Sequence, residues 1–285
     1  MSVEVTAEAA RGTVVEPVRM PSTVRLGLSR GVIELRQFFR EREAVVFVFL
    51  FPPLLLVIFG SVFGQQVAGT GLSMRQAFLP GMIASGIMAV GFQSLAVAVA
   101  VERDDGTLKR LRGTPMPRSA YFLGKIVQVA VTGVLEVAVL LTVGFLFLGV
   151  SLPAGPGRWL TFGWVFGLGL TACALLGLVV GSIPRSGRAA TAVATVPFVV
   201  LQFVSGVYFM YRDLPPWLQQ VGALFPLKWM CQGLRSAFLP DWWPASQEVS
   251  GGWETGRTAL VLVAWVVGGL LLAARTFRWQ SRRDG

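Results

Sequence analysis

Two stretches of this 285-residue chain hold the residue types that could do chemistry. The first is Glu102-Arg103-Asp104-Asp105-Gly106-Thr107-Leu108-Lys109-Arg110-Leu111-Arg112, the opening of a charged segment that runs to residue 118 between long apolar runs. Adjacent carboxylates such as Asp104-Asp105 can hold magnesium diphosphate in membrane enzymes, but that chemistry needs a second acidic cluster, and the other loops expected on the same side lack one. The second stretch is a stripe, Tyr121, Lys125, Gln128, Thr132 and Glu136. At about 100° per residue, its gaps of four and three confine all five side chains to one arc of roughly 80° on a helix. Glu136 then lies about 16 Å beyond Lys125, near the centre of a bilayer. A carboxyl at that depth must be protonated, hydrated or paired. Gln93 and Gln202 reach a similar depth and could hydrogen-bond to it. Two roles for Glu136 stay open: a protonated acid that holds helices together, or one wall of a polar cavity that favours cationic substrates. Histidine is absent, which removes His-based triads, His metal sites and the imidazole proton shuttle together.

The elements that must position these residues are membrane spans. A chain that is 54% hydrophobic and 14% charged lies outside the composition of ordinary soluble domains. Six segments are long enough to cross a hydrocarbon core, which takes roughly 20 helical residues: about 44–64, 77–101, 119–150, 159–183, 189–210 and 258–275. Nineteen of the Lys and Arg residues fall on one set of alternate sides and six on the other, so both termini are expected in the cytosol. The net charge of +10 is spread through short loops rather than gathered on a soluble face, which argues against a nucleic-acid partner. No secretory-type core precedes the first span, so no cleavage is expected. Cys173 and Cys231 read as free thiols.

Around these spans, residues 1–20 read as a flexible cytoplasmic tail and 276–285 as a second one. Residues 21–43 read as an interfacial amphipathic helix, with Val32, Leu35, Phe38 and Phe39 against lipid and Arg36, Arg40 and Arg42 toward anionic headgroups. Pro52 and Pro53 should kink the first span. Gly163/Gly167 and Gly177/Gly181 form two G-x-x-x-G pairs in the fourth, suited to close helix contact within one bundle or between copies. Residues 211–256 alternate Pro215-Pro216-Trp217, Phe225-Pro226 and Trp242-Trp243-Pro244. Short helices dipping into the outer leaflet fit that pattern, since Trp favours the interface.

Within the charged segment, about 102–114 predicts a short helix. Asp104 or Asp105 caps it, Lys109, Arg110 and Arg112 lie in its last turn, and Gly113 with Pro115 stops it. Leu108 and Leu111, three apart on one face, are expected to be exposed and to fit the groove of a cytosolic partner.

These residues resemble the permease subunits of ABC-2 type exporters. The similarity rests on Glu102-Arg103-x-x-Gly106-Thr107-Leu108, Thr114-Pro115, Gly124-Lys125, Leu79-Pro80-Gly81 and the stretch SGVYFMYRDLPPWLQQVGALFPLKWMCQGLR at 205–235, in that family's order. The resemblance implies an all-α membrane protein, a six-span permease domain over 44–275, with Glu102 to Arg112 forming a coupling helix seated in a separate P-loop ATPase subunit. It further implies a second permease copy, identical or related, and export of drug-like or lipid-like amphiphiles across a bacterial cytoplasmic membrane. The chain would be a transport subunit rather than an enzyme, with no cofactor of its own and with ATP and Mg bound by the partner. No G-x-x-x-x-G-K-[ST] loop stands in the sequence. The candidate translocation path is Gln93, Gln128, Thr132, Glu136 and Gln202. A proton-coupled secondary transporter built on Glu136, or an intramembrane enzyme, are the alternative classes; no clear internal repeat supports the former.

Overall fold

A computed structural model describes residues 21–62, 71–184 and 186–276. The expected tail 1–20, residues 63–70, Arg185 and all but the first residue of the expected tail 276–285 lie outside the described residues. The regular elements are helical throughout, and six stretches are long and apolar enough to cross a membrane: Arg42–Val62, Met74–Asp104, Ser119–Leu148, Pro156–Gly181, Gly187–Val204 and Thr255–Arg275.

The chain begins with α1 (Thr23–Arg40), opened by the Ser22 hydroxyl accepting from the Arg25 N–H at 3.3 Å. Its buried face is Gly27, Gly31, Glu34 and Phe38. The two glycines lie against Leu123 and Val127, where a Cβ would come within 2.5 and 2.7 Å. The sequence placed Phe38 on the lipid side with Val32 and Phe39; instead Phe38 is buried while Val32 and Phe39 are exposed. The reason is that α1 lies along another helix of the same chain, and the glycine edge sets which face turns inward.

Helix α2 (Arg42–Val62) runs through Pro52 and Pro53, both buried. The second span is three pieces: α3 (Met74–Met88), a π-helical turn at Ala89–Ser94, and α4 (Leu95–Asp104). Twelve residues of α3, from Ala77 to Met88, are buried, which makes it the central helix of the bundle. The π turn, where one extra residue widens the helix, is absent from the sequence reading. It allows Gly91 to come against Cys173 and Ala174.

A short α5 (Thr107–Arg112) follows, then α6 (Arg118–Leu148), 31 residues long and free of internal proline. Gly149, at φ 64°, ends α6, with the Val150 N–H donating to the Gly144 carbonyl at 3.0 Å. Helix α7 (Pro156–Gly181) carries both G-x-x-x-G pairs, which behave differently. A Cβ on Gly177 or Gly181 would lie 2.5 Å from the Gly91 carbonyl oxygen or 2.7 Å from that of Ala96, so this pair seats α7 on the second span; Gly163 and Gly167 have nothing within 4 Å.

Helix α8 (Gly187–Val204) is the fifth span. Between it and the last span, α12 (Thr255–Thr276), come α9 (Pro216–Ala223), α10 (Pro226–Phe238) and α11 (Trp243–Gln247), which are 8, 13 and 5 residues long and too short to cross a bilayer. α10 is nevertheless almost wholly buried, packed against α3, α7 and α12.

Candidate functional site

The first element of the site is a buried cluster of charges where α1, α4 and α6 meet. Arg30 and Glu34 are one helical turn apart on α1 and pair with each other. Lys125 of α6, 1% exposed, places its Nζ 2.7 Å from Glu34 Oε2 and 2.7 Å from Glu102 Oε1 at the end of α4. Arg30 also reaches Glu102 at 3.3 Å, and the Tyr121 hydroxyl donates to Glu102 Oε2 at 2.8 Å. Two cations face two carboxylates, so the cluster is neutral as a whole, which is what lets it sit out of water. Gly124 makes the approach possible: a Cβ there would lie 2.7 Å from Arg30 Cγ. The Tyr121–Lys125 end of the polar stripe, read from the sequence as entering the membrane, is here the fastening of α6 to its neighbours.

Glu102 stands immediately before an elbow. Asp105 ends α4 and Gly106 turns at φ 77°, a left-handed conformation that suits glycine. α5 then starts with Asp105 Oδ1 accepting from the Thr107 N–H at 2.8 Å. Gly113 closes α5, and the Thr114 hydroxyl donates to the Leu111 carbonyl at 2.6 Å. The expected Asp105 cap and Gly113 stop are therefore present, but the expected single helix over 102–114 is not: Glu102 to Asp104 end α4, the left-handed turn at Gly106 breaks the helix, and α5 spans only Thr107–Arg112. The expected exposure of the leucines is absent as well: Leu108 is 1% exposed, packed on Tyr121, with Leu111 half-buried beside it. The pair closes the elbow onto α6 because a two-turn helix hinged at Gly106 folds its apolar edge back on the nearest apolar surface.

The other charged residues divide between two roles. Arg103 donates to the Ser182 and Pro184 carbonyls, and Asp104 Oδ2 accepts from the Gly187 N–H at 3.0 Å, so both hold the turn that leads into α8. Asp105 and Arg110 remain exposed, with Arg110 near the Asp105 carbonyl and the Thr107 hydroxyl at 3.4 Å. Arg112 closes α5 at the backbone level.

Beside the cluster opens a cavity of about 740 Å³ between α1, α2, α4, α6 and α8. Glu34, Glu102, Asp105, Thr107 and Lys125 form its polar wall, Phe38, Phe47, Val97 and Val101 part of its apolar wall, and Gln93 and Gln128 also reach it. Gln128 Oε1 is buried with no hydrogen-bond partner.

Beyond the cavity along α6, the Thr132 hydroxyl donates back to the Gln128 carbonyl at 2.7 Å, and Glu136 is buried with neither carboxyl oxygen partnered. Its carboxyl lies against Gly86 of α3, in the space that a Cβ would fill. The expected hydrogen bonds from Gln93 and Gln202 to Glu136 do not form. Gln93 donates to the Thr195 hydroxyl at 2.9 Å because the π turn carries it toward α8, and Gln202 is buried with both amide atoms unpartnered. The five candidate path residues thus fall into two at the cavity, two further along α6 and one near the far end of α8.

At that opposite end the sequence reading missed a second buried cluster. Lys228, Gln232 and Arg235 lie on one face of α10, four and three apart. Lys228 Nζ is 2.9 Å from Gln232 Oε1, 3.6 Å from Glu254 and 3.5 Å from the Trp229 ring centroid. Arg235 donates to the Gly206 carbonyl and lies 3.6 Å from Glu248. The polar spacing on α10 was the available signal; counting Lys228 and Arg235 only for topology hid it.

Comparison with known proteins follows the same outline. The family model described as ABC-2 type transporter matches residues 31–239, a stretch that contains the elbow, the cavity wall and α10. The chain is 22% identical over 253 residues to a putative transport permease, YvfS, of Bacillus subtilis, covering 88% of this chain and 97% of that protein. It is 26% identical over 201 residues to the inner membrane transport permease YadH of Escherichia coli K12, covering 67% and 75%. A third relative, the probable multidrug ABC transporter permease YbhS of the same strain, is 25% identical over 162 residues, covering 56% and 42%. The chain belongs to the ABC-2 type transporter family.

Proposed function

We propose that this chain is the membrane permease of an ATP-driven exporter, energised by a separate P-loop ATPase that docks on the α4–α5 elbow, with both termini in the cytosol and two permease copies in the working complex. The observation that carries this reading is the position of Glu102. It is at once the last anchored residue before the elbow and a shared partner of Lys125, Tyr121 and Arg30. A push on the elbow therefore reaches α6 and α1 through short ionic contacts rather than through a flexible loop. The surface offered to the ATPase is Asp105, Arg110 and the exposed Thr114-Pro115 corner, with Leu108 stabilising α5 from behind. α1 would lie in the cytoplasmic interface, and the short helices from α9 to α11 in the outer leaflet.

The cavity between α1, α2, α4, α6 and α8 supports a cargo with both polar and apolar parts, since its wall has both. The name of the E. coli relative YbhS, a probable multidrug transporter, points the same way. Gln93 and Gln128 at the cavity, Thr132 and Glu136 about 6 and 12 Å further along α6, and Gln202 on α8 would mark the route outward.

Copurification from bacterial membranes tests the reading. The chain is expected to bring down a P-loop ATPase encoded beside it, and ATP hydrolysis in liposomes is expected to depend on the chain. Hydrolysis at the same rate without it, or no associated ATPase, would refute the reading.

A further inference from the structure

The buried cluster around α10 stands where three elements end. α8 closes at Val204, and the turn Ser205-Gly206-Val207 follows, with Gly206 at φ 83°. Gly81 of α3 packs on the backbone of that turn, where a Cβ would lie 3.2 Å from the Val207 carbonyl oxygen, and Gly222 of α9 lies against the Val204 carbonyl. The turn is therefore the shared far end of the central helix and of the helix that carries Gln202. Arg235 of α10 holds it through the Gly206 carbonyl and is itself faced by Glu248, which follows α11.

We propose that Arg235 is the positioning residue of an outer lock, which ties the far end of α8 to α10 and closes the exit of the path, and that Glu248 makes the lock tighter as pH falls and looser as pH rises. The exit role rests on the permease reading above; the lock itself does not.

The geometry explains why a single arginine can do this. Arg235 is 3% exposed and Glu248 is 7% exposed, so neither is solvated in the closed arrangement. At 3.6 Å the pair is longer than a charge-assisted hydrogen bond of about 2.8 Å. Its attraction therefore offsets only part of the cost of burying the carboxylate. Among the described residues, the charged groups acting on Glu248 belong to the same cluster, Arg235 and Lys228 on α10 and Glu254 before α12, with the Tyr211 hydroxyl and the Cys231 thiol also within its influence.

The sign of the pH dependence follows from which of these groups titrates. Burial pushes the Glu248 carboxyl above the usual carboxylate range, against the pull of Arg235 and Lys228. The closed arrangement consequently binds a proton more tightly than an open one in which Glu248 meets water. Linkage then requires that closure be favoured at low pH and weakened as pH rises through the raised value. Glu254 is only partly desolvated, and Lys228 with Arg257 holds it below the usual carboxylate range. Burial lowers Lys228 from a value far above neutral. Tyr211 and Cys231 are pushed up to about 12 by burial.

Hydrogen exchange on the full chain in lipid nanodiscs, without nucleotide or partner, reads the lock directly. Protection of the 205–211 and 226–238 segments, corrected for intrinsic rates, is expected to rise several-fold from the alkaline to the acid end of a pH titration. Glu248→Gln is expected to give the acid level of protection at every pH. Arg235→Met is expected to lower protection of 205–211 throughout. A wild-type pH slope retained in Glu248→Gln, or wild-type protection of 205–211 in Arg235→Met, would overturn the proposal. If Arg235→Met does not fold, the slope in Glu248→Gln still decides. Because no ATPase is present, failure of the lock and failure of the permease reading remain distinguishable.

Discussion

Lys125 is the residue on which the cluster of α1, α4 and α6 turns. It is almost fully buried, and both of its carboxylate contacts are 2.7 Å long, so a mutation there leaves two largely buried carboxylates short of a cation. Lys125→Met would strand Glu34 and Glu102 with Arg30 as their one remaining cation in the cluster. Breaking a buried pair from one side costs about 3–5 kcal/mol, and a loss of that order is expected in the unfolding free energy of the detergent-solubilised protein. Adding Glu34→Leu to Lys125→Met removes one stranded charge and should recover a substantial part of the loss. Strict additivity of the two changes, measured as a double-mutant cycle, would mean that the contact carries no coupling. At this scale the sequence was half legible. Spacing alone put Tyr121, Lys125, Gln128, Thr132 and Glu136 on one face of a helix. Glu34 gave no signal, since an acid in a basic amphipathic segment looks like a solvated residue until α1 is laid against α6.

The element that changes most between sequence and structure is α5. Its Asp105 cap and its stop at Gly113 are local properties, decided by residues within a few positions, and both could be read directly; its start at Thr107 could not, because the turn at Gly106 divides the helix expected over 102–114. The orientation of Leu108 is not local. It depends on the left-handed turn at Gly106 and on Tyr121, a residue of the next helix, and so the leucine expected to meet a partner is a core residue instead. The same reason hid the π turn at Ala89–Ser94, which exists because Gly91 fits against α7. Leu108→Asp is therefore expected to destabilise α5 and increase proteolysis within 105–117, whereas Arg110→Glu should leave α5 intact and weaken only ATPase association. Protease mapping with copurification separates the two; equal proteolysis in both variants would contradict the assignment of Leu108 to the interior and Arg110 to the surface.

For the whole molecule, the described residues form one bundle with a charged cluster at each end and α3 through its centre. The Lys125 cluster joins α1, α4 and α6, and the Arg235 cluster joins α8, α10 and the segment leading into α12. Between them, the bundle's polar residues are few and poorly partnered, with Glu136 and Gln202 buried and unbonded. Six spans were visible in the sequence because hydropathy and length are whole-segment properties. The burial of α10 was not, because a 13-residue helix with Lys228, Gln232 and Arg235 on one face reads as a surface helix until its neighbours are known.

The central claim is that the elbow end of this bundle receives the ATPase. A photo-crosslinking residue placed at Arg110, and in a second variant at exposed Trp217 beyond α8, tests it in membranes of cells that also produce the neighbouring P-loop ATPase. The account predicts a crosslink to the ATPase from position 110 and none from 217. No crosslink from 110 in a folded chain, or equal crosslinking from both positions, would contradict it.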